Sequence, residues 1–367
     1  MKLIIDRDTL QSPLQGISGV IERRQSLPVL SHVLISARDG RIQFVGTDLE
    51  VELAITLEHA VDAPGESTLP ARKLLDICRF LPEGARIEIS VDEDRAWIRS
   101  GKSRFALSTI PAKEFPSIGE ISPILSVTAD AERLKAIIKD TEFAMAYQDV
   151  RYYLNGLLLE IREQGIRAVA TDGHRLAMNE METKTGRQEP YQVLIPRKGV
   201  GELSRMLDGT ETKAELHVAS NHIQVKIGNR CMTSKLIDGR FPDYERILLQ
   251  KGDKVVIADR DLLRQGLART AIISSEKFRG VRIALEQDLL RASAHNTERD
   301  EAEEEIEVDY TGDSLEIGFN VSYLLDALSA IKTEQVRLEF LDTKSGCQIR
   351  PTGDGTSGTH VIMPIRL

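Results

Sequence analysis

The side chains best equipped for chemistry stand in one string, Thr171-Asp172-Gly173-His174-Arg175-Leu176. A carboxylate, an imidazole and a guanidinium so close together could serve a hydrolase, with His174 as general base and Asp172 orienting it. Such a site also needs a nucleophile, and neither Ser nor Cys stands beside the string. Gly101-Lys102-Ser103 has the ending of a phosphate-binding loop, but Ala96 occupies the place of its first glycine. No HExxH, GxSxG or GxGxxG pattern occurs. Cys78, Cys231 and Cys347 lie far apart without CxxC spacing, which argues against a disulfide framework and against a zinc site. The expectation is a chain with no catalytic residues, no metal, no cofactor and three structural thiols.

The elements that must position this string repeat three times. Asp6, Asp130 and Asp259 each stand at a helix start ahead of an apolar stripe: Leu10, Leu14 and Ile17, then Leu134 and Ile138, then Leu263 and Leu267. Two apolar strands around a turn follow in each copy. These are Val29–Ser36 with Ile42–Thr47, Leu154–Ile161 with Ile166–Thr171, and Val281–Glu286 with Leu289–Ala294. Asp39-Gly40 is a hairpin signal in the first. The second strand runs into Asp48, Asp172 and Asn296, spaced 124 residues apart. Their neighbours differ between copies, so the position reads as a recurring turn rather than an acid–base set. A second helix follows Pro70, Pro196 and Asn320. Its buried face is Leu74, Ile77 and Leu81, then Val200, Leu203 and Leu207, then Leu324, Ala327 and Ile331. The first two copies close on Phe115-Pro116 and Phe241-Pro242. The expected fold is α+β, with three similar domains at 1–121, 126–250 and 251–367, each built of two helix-plus-strands halves.

A net charge of −9 argues against a nucleic-acid partner only if the two signs are evenly mixed. They are not. The six helix candidates (7–24, 72–81, 131–147, 197–207, 260–271 and 321–332) hold 16 basic and 9 acidic residues, while the remainder holds 32 and 48. A helix-lined surface carrying Arg24, Arg72, Lys73, Arg79, Arg197, Lys198, Arg205 and Arg264 would meet phosphates without reading sequence. An ordinary solvated helix face is the competing explanation. A second asymmetry sets the acidic run Glu298, Asp300, Glu301, Glu303, Glu304 and Glu305 in the third copy against Arg95, Arg99, Lys102 and Arg104 in the first. Complementary ends suggest head-to-tail association that closes into a ring, with Phe105, Leu107, Ile272 and Ile273 adding apolar contact. No run approaches the roughly 20 apolar residues of a membrane helix, and the opening Met1-Lys2-Leu3-Ile4-Ile5-Asp6 meets charge at once. A cytoplasmic location with no membrane partner is expected.

Five strings carry a family resemblance: 148–156 (QDVRYYLNG), 170–176 (ATDGHRL), 238–244 (DGRFPDY), 276–280 (EKFRG) and 363–367 (MPIRL). Across the whole chain the sequence resembles the bacterial beta sliding clamp family of DNA polymerase III. The resemblance implies a non-catalytic processivity factor in which two chains, joined head to tail, form a six-domain ring with twelve helices around duplex DNA. It implies a dimer interface drawing on Lys73, Lys102, Arg104, Phe105, Leu107, Ile272, Ile273, Glu298, Glu301, Glu303 and Glu304. It places Arg24 and Gln148 in the channel, with Tyr152 and Tyr153 on a loop near the DNA.

The resemblance further implies a hydrophobic partner-peptide cleft between the second and third domains. Leu154, Thr171, Gly173, His174, Arg175, Leu176, Pro242, Arg246, Ile247, Val361, Met363, Pro364 and Arg366 match it. Apolar walls and a methionine gate suit a short linear peptide with Leu and Phe anchors. Implied partners are double-stranded DNA, a second copy, the replicative polymerase alpha subunit, the clamp loader, translesion and repair polymerases, ligase and mismatch-repair proteins. The first and third copies lack the Thr-Asp-Gly-His string, so one cleft per chain is expected. Two competing readings are a hydrolase using Asp172 and His174, and a repeat protein that binds peptides but not DNA.

Overall fold

The computed structural model describes residues 1–21, 27–209, 212–248, 252–275, 279–353 and 357–366. The chain divides into two compact units, Met1–Glu132 with Lys198–Leu236, and Arg133–Arg197 with Ile237–Leu367. The central repeat contributes to both units, because each contains a sheet that runs from one repeat into another.

In the first unit that sheet has eight strands, in the order Gly65–Pro70, His32–Arg38, Arg41–Thr47, Val51–Glu58, Arg230–Lys235, His222–Ile227, Lys213–Val218 and Leu125–Asp130. The repeats join where Val51–Glu58 pairs antiparallel with Arg230–Lys235. A four-stranded sheet, Lys2–Asp6, Arg86–Asp92, Arg95–Ser100 and Ser103–Ser108, completes this unit. The second unit has the same plan. Its eight strands run Tyr191–Pro196, Gly156–Arg162, Gly165–Thr171, Arg175–Glu182, Thr359–Ile362, Cys347–Pro351, Gln335–Phe340 and Lys254–Asp259. Here the join is Arg175–Glu182 against Thr359–Ile362, with Leu176 opposite Val361 and Ala177 opposite His360. Its four-stranded sheet runs Glu301–Glu307, Leu289–His295, Gly280–Glu286 and Leu315–Asn320.

The helices lie where the periodicity puts them. Arg7–Ile17 buries Leu10, Leu14 and Ile17, and Ala71–Phe80 buries Leu74, Leu75 and Cys78. In the second unit Leu263 and Leu267 from Arg260–Thr270 share a core with Leu324 and Leu328 from Val321–Ala330, around Phe319 and Phe340. Each such buried side chain contributes about 1.5–3 kcal/mol of transfer free energy. Asp259 caps its helix by accepting the Leu262 N–H at 2.8 Å, whereas Asp6 occupies the same position without a side-chain cap. Asp39 and Gly40, at φ +52° and +70°, make the tight hairpin turn their types favour.

Several expected boundaries move. The first helix stops at Ile17 rather than reaching Arg24, which lies outside the described residues. Beyond it, Gly19 lies against the side-chain ends of Glu202 and Arg205, which would have to shift to admit a Cβ there. The helix expected to reach Tyr147 ends at Lys139, because the Thr141 hydroxyl donates back to the Ile137 and Ile138 carbonyls, at 2.7 and 3.1 Å. Short 3₁₀ turns, Pro28–Ser31 and Tyr152–Leu154, replace the starts of two expected strands, which open at His32 and Gly156 instead. Cys78 and Cys347 are buried and Cys231 partly so, all as free thiols, and burial pushes the Cys78 thiol up to about 11. Among the described residues no helix is long and apolar enough to cross a membrane.

Candidate functional site: a peptide cleft

The chemistry-bearing string forms a turn. The Asp172 carboxylate accepts the N–H groups of His174 (2.9 Å) and Arg175 (3.0 Å), and the Thr171 hydroxyl donates to the Arg175 carbonyl at 2.6 Å. Gly173 completes the turn at φ +88°. In the first unit Asp48 accepts from Glu50 (2.9 Å) and Val51 (2.7 Å), Thr47 donates to the Val51 carbonyl at 3.0 Å, and Leu49 has φ +78°. Asn296 accepts from Glu298 and Asp300, both at 2.9 Å. One side-chain-to-backbone device therefore recurs while the chemistry around it changes. Asp172 is committed to its own backbone and His174 is exposed, so they do not form a base and its orienting acid.

What the turn builds is a wall. Beside it lies a cavity of about 340 Å³ lined by Arg151, Tyr153, Leu154, Thr171, Gly173, Arg175, Leu176, Pro242, Tyr244, Ile247, Val361 and Met363. Its floor is the strand join, where Leu176 and Val361 pack with Leu158, Val169, Leu194, Phe241 and Tyr244. Because side chains alternate across a strand, Val361 faces this cavity while His360 lies on the opposite face. The backbone N–H of Met363 donates to the His174 carbonyl at 2.8 Å, which ties the methionine to the turn.

Two polar groups make this apolar site rigid. Arg175 donates to Asp172 at 3.1 Å, to Asp326, and to the Phe143 carbonyl at 2.8 Å. Tyr244 is buried and donates to Glu160 at 2.9 Å, while accepting from Arg167 at 3.2 Å. Burial alone would raise the Glu160 carboxyl, but hydrogen bonds from Gln192, Arg162 and Tyr244 outweigh it and hold the group below the usual carboxylate range. The Tyr244 ring is thereby fixed as a wall of the cavity.

The cavity includes residues beyond those the sequence assigns to it. Arg151 and Tyr244 are additions, and Tyr153, expected near DNA, is half-buried in the cavity lining. Only their nearness to Leu154 and Pro242 in sequence hints at this. Four expected lining residues stand apart. His174 accepts the Met363 N–H through its carbonyl but is not among the residues lining the cavity, and Pro364 lies just past Met363. Arg246 is paired with Asp243 at 2.7 Å on the exposed side of the short helix Glu245–Leu248, away from Ile247. Arg366 lines a separate cavity of about 470 Å³ with Ile365, Arg282 and His295.

The corresponding place in the first unit is blocked. Glu52 stands at the position of Leu176, one repeat earlier, and accepts the N–H of Ile118 at 3.0 Å. Burial raises its carboxyl, opposed by the bonds from Ile118 and Ser117. The chain's own segment thus seals this position with a polar contact, where the second unit offers an apolar floor.

The basic residues expected on the helical face fall into two groups. Arg72, Lys73 and Arg79 are exposed on Ala71–Phe80, with Arg79 3.5 Å from Asp76. Gln148, Tyr152 and Arg197 are also exposed, and Arg197 donates to the Met145 carbonyl at 3.0 Å. Lys198, by contrast, pairs with Asp48 in the recurring turn, and Arg205 pairs at 2.8 Å with the buried Glu202. Their charges are largely matched within the chain. Arg24 lies outside the described residues.

The segments expected to meet a second copy are sheet edges. Ser103–Ser108, carrying Arg104, Phe105 and Leu107 beside Lys102, is the edge strand of its four-stranded sheet, and Glu301–Glu307 is the edge strand of the other. Glu301 and Glu303 are exposed, as are Glu298 and Ile272, and Ile273 is partly exposed. Glu304 differs: strand alternation turns it inward, where Arg269 grips it at 2.7 and 2.8 Å. It is an internal partner, so its charge is spent within the chain.

Comparison with known proteins agrees with this architecture. Three domain models of the DNA polymerase III beta subunit match, the N-terminal at residues 1–119, the central at 128–243 and the C-terminal at 245–366. The chain is 49% identical over 369 residues to the beta sliding clamp of Pseudomonas putida and 46% identical over 372 residues to that of Escherichia coli K12, covering 100% of each. Among solved structures, a ligand-bound DNA polymerase sliding clamp from Pseudomonas aeruginosa superposes with a TM-score of 0.97 at 47% identity, and the same organism's clamp bound to griselimycin with 0.96 at 47%. Both cover the whole of each chain. With all three domains matched and full-length relatives this similar, the chain belongs to the DNA polymerase III beta subunit family, the bacterial beta sliding clamps.

Proposed function

We propose that the chain works as two copies joined head to tail, a closed ring of six domains (1–121, 126–250 and 251–367 in each) around duplex DNA. A sliding clamp is a non-catalytic subunit that keeps its polymerase on DNA, and enclosure supplies the residence time. A basic surface that gripped phosphates strongly would brake sliding, so a few exposed cations among matched ones suit the task. Arg72, Lys73, Arg79, Arg197, Gln148 and Tyr152 are the described candidates for DNA contact.

The open edges of Ser103–Ser108 and Glu301–Glu307 support the head-to-tail contact, since unpaired edge strands of opposite charge can extend each other's sheets. The observation that carries the partner reading is the apolar cavity at the join of Arg175–Glu182 and Thr359–Ile362. It suits two apolar anchors of a short linear peptide, each contributing about 1.5–3 kcal/mol, which gives exchangeable binding. Peptide segments of the replicative polymerase alpha subunit, the clamp loader, translesion and repair polymerases, ligase and mismatch-repair proteins are the proposed occupants. Titrating a labelled two-anchor peptide against the protein, with Leu176→Glu as control, tests this. Saturable binding lost in the variant supports the cleft, and equal binding by the variant contradicts it.

A further inference from the structure

The strand join has a second face. Val361 packs under the peptide cleft, while His360 lines a separate cavity of about 240 Å³ on the opposite side of the sheet. Ala177 stands opposite His360 and Asn179 lies two residues further along, so Asn179 and His360 share that face. Ala136 and Ile137 of helix Ala131–Lys139 bound the cavity, together with Met181 and Ile331. The cavity is smaller than the roughly 300–1,000 Å³ of pockets that hold drug-sized molecules, and suits a ligand of about one ring.

Its inner polar groups are incompletely matched. His360 is 2% exposed, and its Nδ1 has no hydrogen-bond partner among the described residues. Folded proteins seldom leave a buried polar atom unmatched, so this one marks a place for a partner. Burial holds the ring pKa down to about 4, which keeps the imidazole neutral, and with the proton on Nε2 its Nδ1 is an acceptor. Asp140 is half-buried and accepts from the Asn179 amide at 2.8 Å, and Ser357 fixes that amide by donating to its oxygen at 2.7 Å. Burial raises the Asp140 carboxyl above its usual range, opposed by the charge of Lys332 and by the Asn179 bond. A carboxylate has about four lone-pair positions, so Asp140 can accept more than Asn179 gives it.

The other charged groups at this cavity, Arg133, Glu180 and Lys332, are exposed and therefore screened by water. Asp140 is the charge drawn inward, and a cation beside it offsets its desolvation. Two acceptors among apolar side chains call for several N–H donors in one plane, a requirement that a flat fork meets better than a compact ammonium. We propose that this cavity binds a small organic cation with an amidinium or guanidinium head. The head sits on Asp140 and the His360 Nδ1, and the apolar remainder packs on Ile137, Met181 and Ile331. The site is separate from the peptide cleft and does not depend on it.

The test titrates benzamidine, an amidinium on one apolar ring, into the full-length protein at neutral pH, followed by calorimetry and by the histidine ring signals in NMR. Saturable binding at roughly millimolar concentration or tighter is expected. The His360 ring signal, assigned by its loss in His360→Gln, should shift as the site fills. Benzamide, which lacks the charge, and benzoate, which reverses it, should bind at least about tenfold more weakly. Asp140→Asn keeps an acceptor for Asn179 and should cost about tenfold in benzamidine affinity. Ala136→Leu, which fills the cavity from the helix side, should abolish binding while leaving both polar groups in place. Leu176→Glu should leave benzamidine binding unchanged. Absence of binding overturns the proposal, as does full affinity in Asp140→Asn. Tighter binding of benzoate than of benzamidine also overturns it, by assigning the cavity to anions drawn to Arg133 and Lys332.

Discussion

The guanidinium of Arg175 lies 4.4 Å from the ring centre of Tyr323 and 5.2 Å from that of Phe143. Tyr323 belongs to helix Val321–Ala330 and Phe143 to the turn Glu142–Ala144, so one side chain links the cleft wall to two elements behind it. Breaking a largely buried ion pair costs about 3–5 kcal/mol, and partial solvent access here lowers this to roughly 2–4. Arg175→Ala should therefore destabilise the second unit by about that amount and weaken peptide binding. Arg175→Lys should recover little, since a point charge cannot make the forked contacts. Denaturant melts and peptide titrations of both variants check this.

Gly173→Ala is expected to harm binding more than folding. At φ +88° an added Cβ costs about 1–2 kcal/mol of backbone strain, and it would also displace Arg151, whose Nη1 lies 2.8 Å from the new atom. The measurement is peptide affinity against melting temperature. A change in stability without loss of affinity would contradict the placement of Arg151.

Leu176→Glu copies into the cleft the residue that stands at the corresponding place in the first unit, Glu52. In the cleft the carboxylate would replace part of the apolar floor with a charge, so peptide affinity should fall at least about tenfold, matching the loss of an apolar anchor contact. Association into dimers should be unchanged by light scattering, because the cleft and the edge strands are separate features.

Acid should weaken the fold through His360. The ring is 2% exposed, and burial pushes its pKa down to about 4. The unfolded chain then takes up the proton first, near pH 6.5. The stability contributed by neutral His360 is complete above pH 6.5 and is lost as pH falls toward 4, at up to about 1.4 kcal/mol per unit. His32 and His222 are also held low, mainly by burial, and add to the slope. Denaturant stability measured between pH 7 and 5 should slope less in His360→Leu than in the parent.

Much of this is legible in the sequence because it is periodic. The stripes Leu10-Leu14-Ile17 and Leu74-Ile77-Leu81 specify helices, and the equal spacing of Asp48, Asp172 and Asn296 marks one turn used three times. Leu176 and Val361 reach the cleft assignment through resemblance, and the sheet pairing explains why they meet. What stays hidden depends on partners distant in sequence. The pairing of Lys198 with Asp48, and of Glu304 with Arg269, joins residues far apart in the chain. No pattern in a single segment reveals such matched charges. Arg151 escapes the sequence for the same reason, since its place in the cavity lining is beside Gly173, across a turn.

Enclosure of DNA is tested most directly on closed and cut circles. The protein, loaded onto nicked circular DNA, should remain bound through gel filtration at moderate salt and leave when a single restriction cut makes the DNA linear. Retention after the cut would mean that the chain grips phosphates rather than surrounding the duplex, and would contradict the ring.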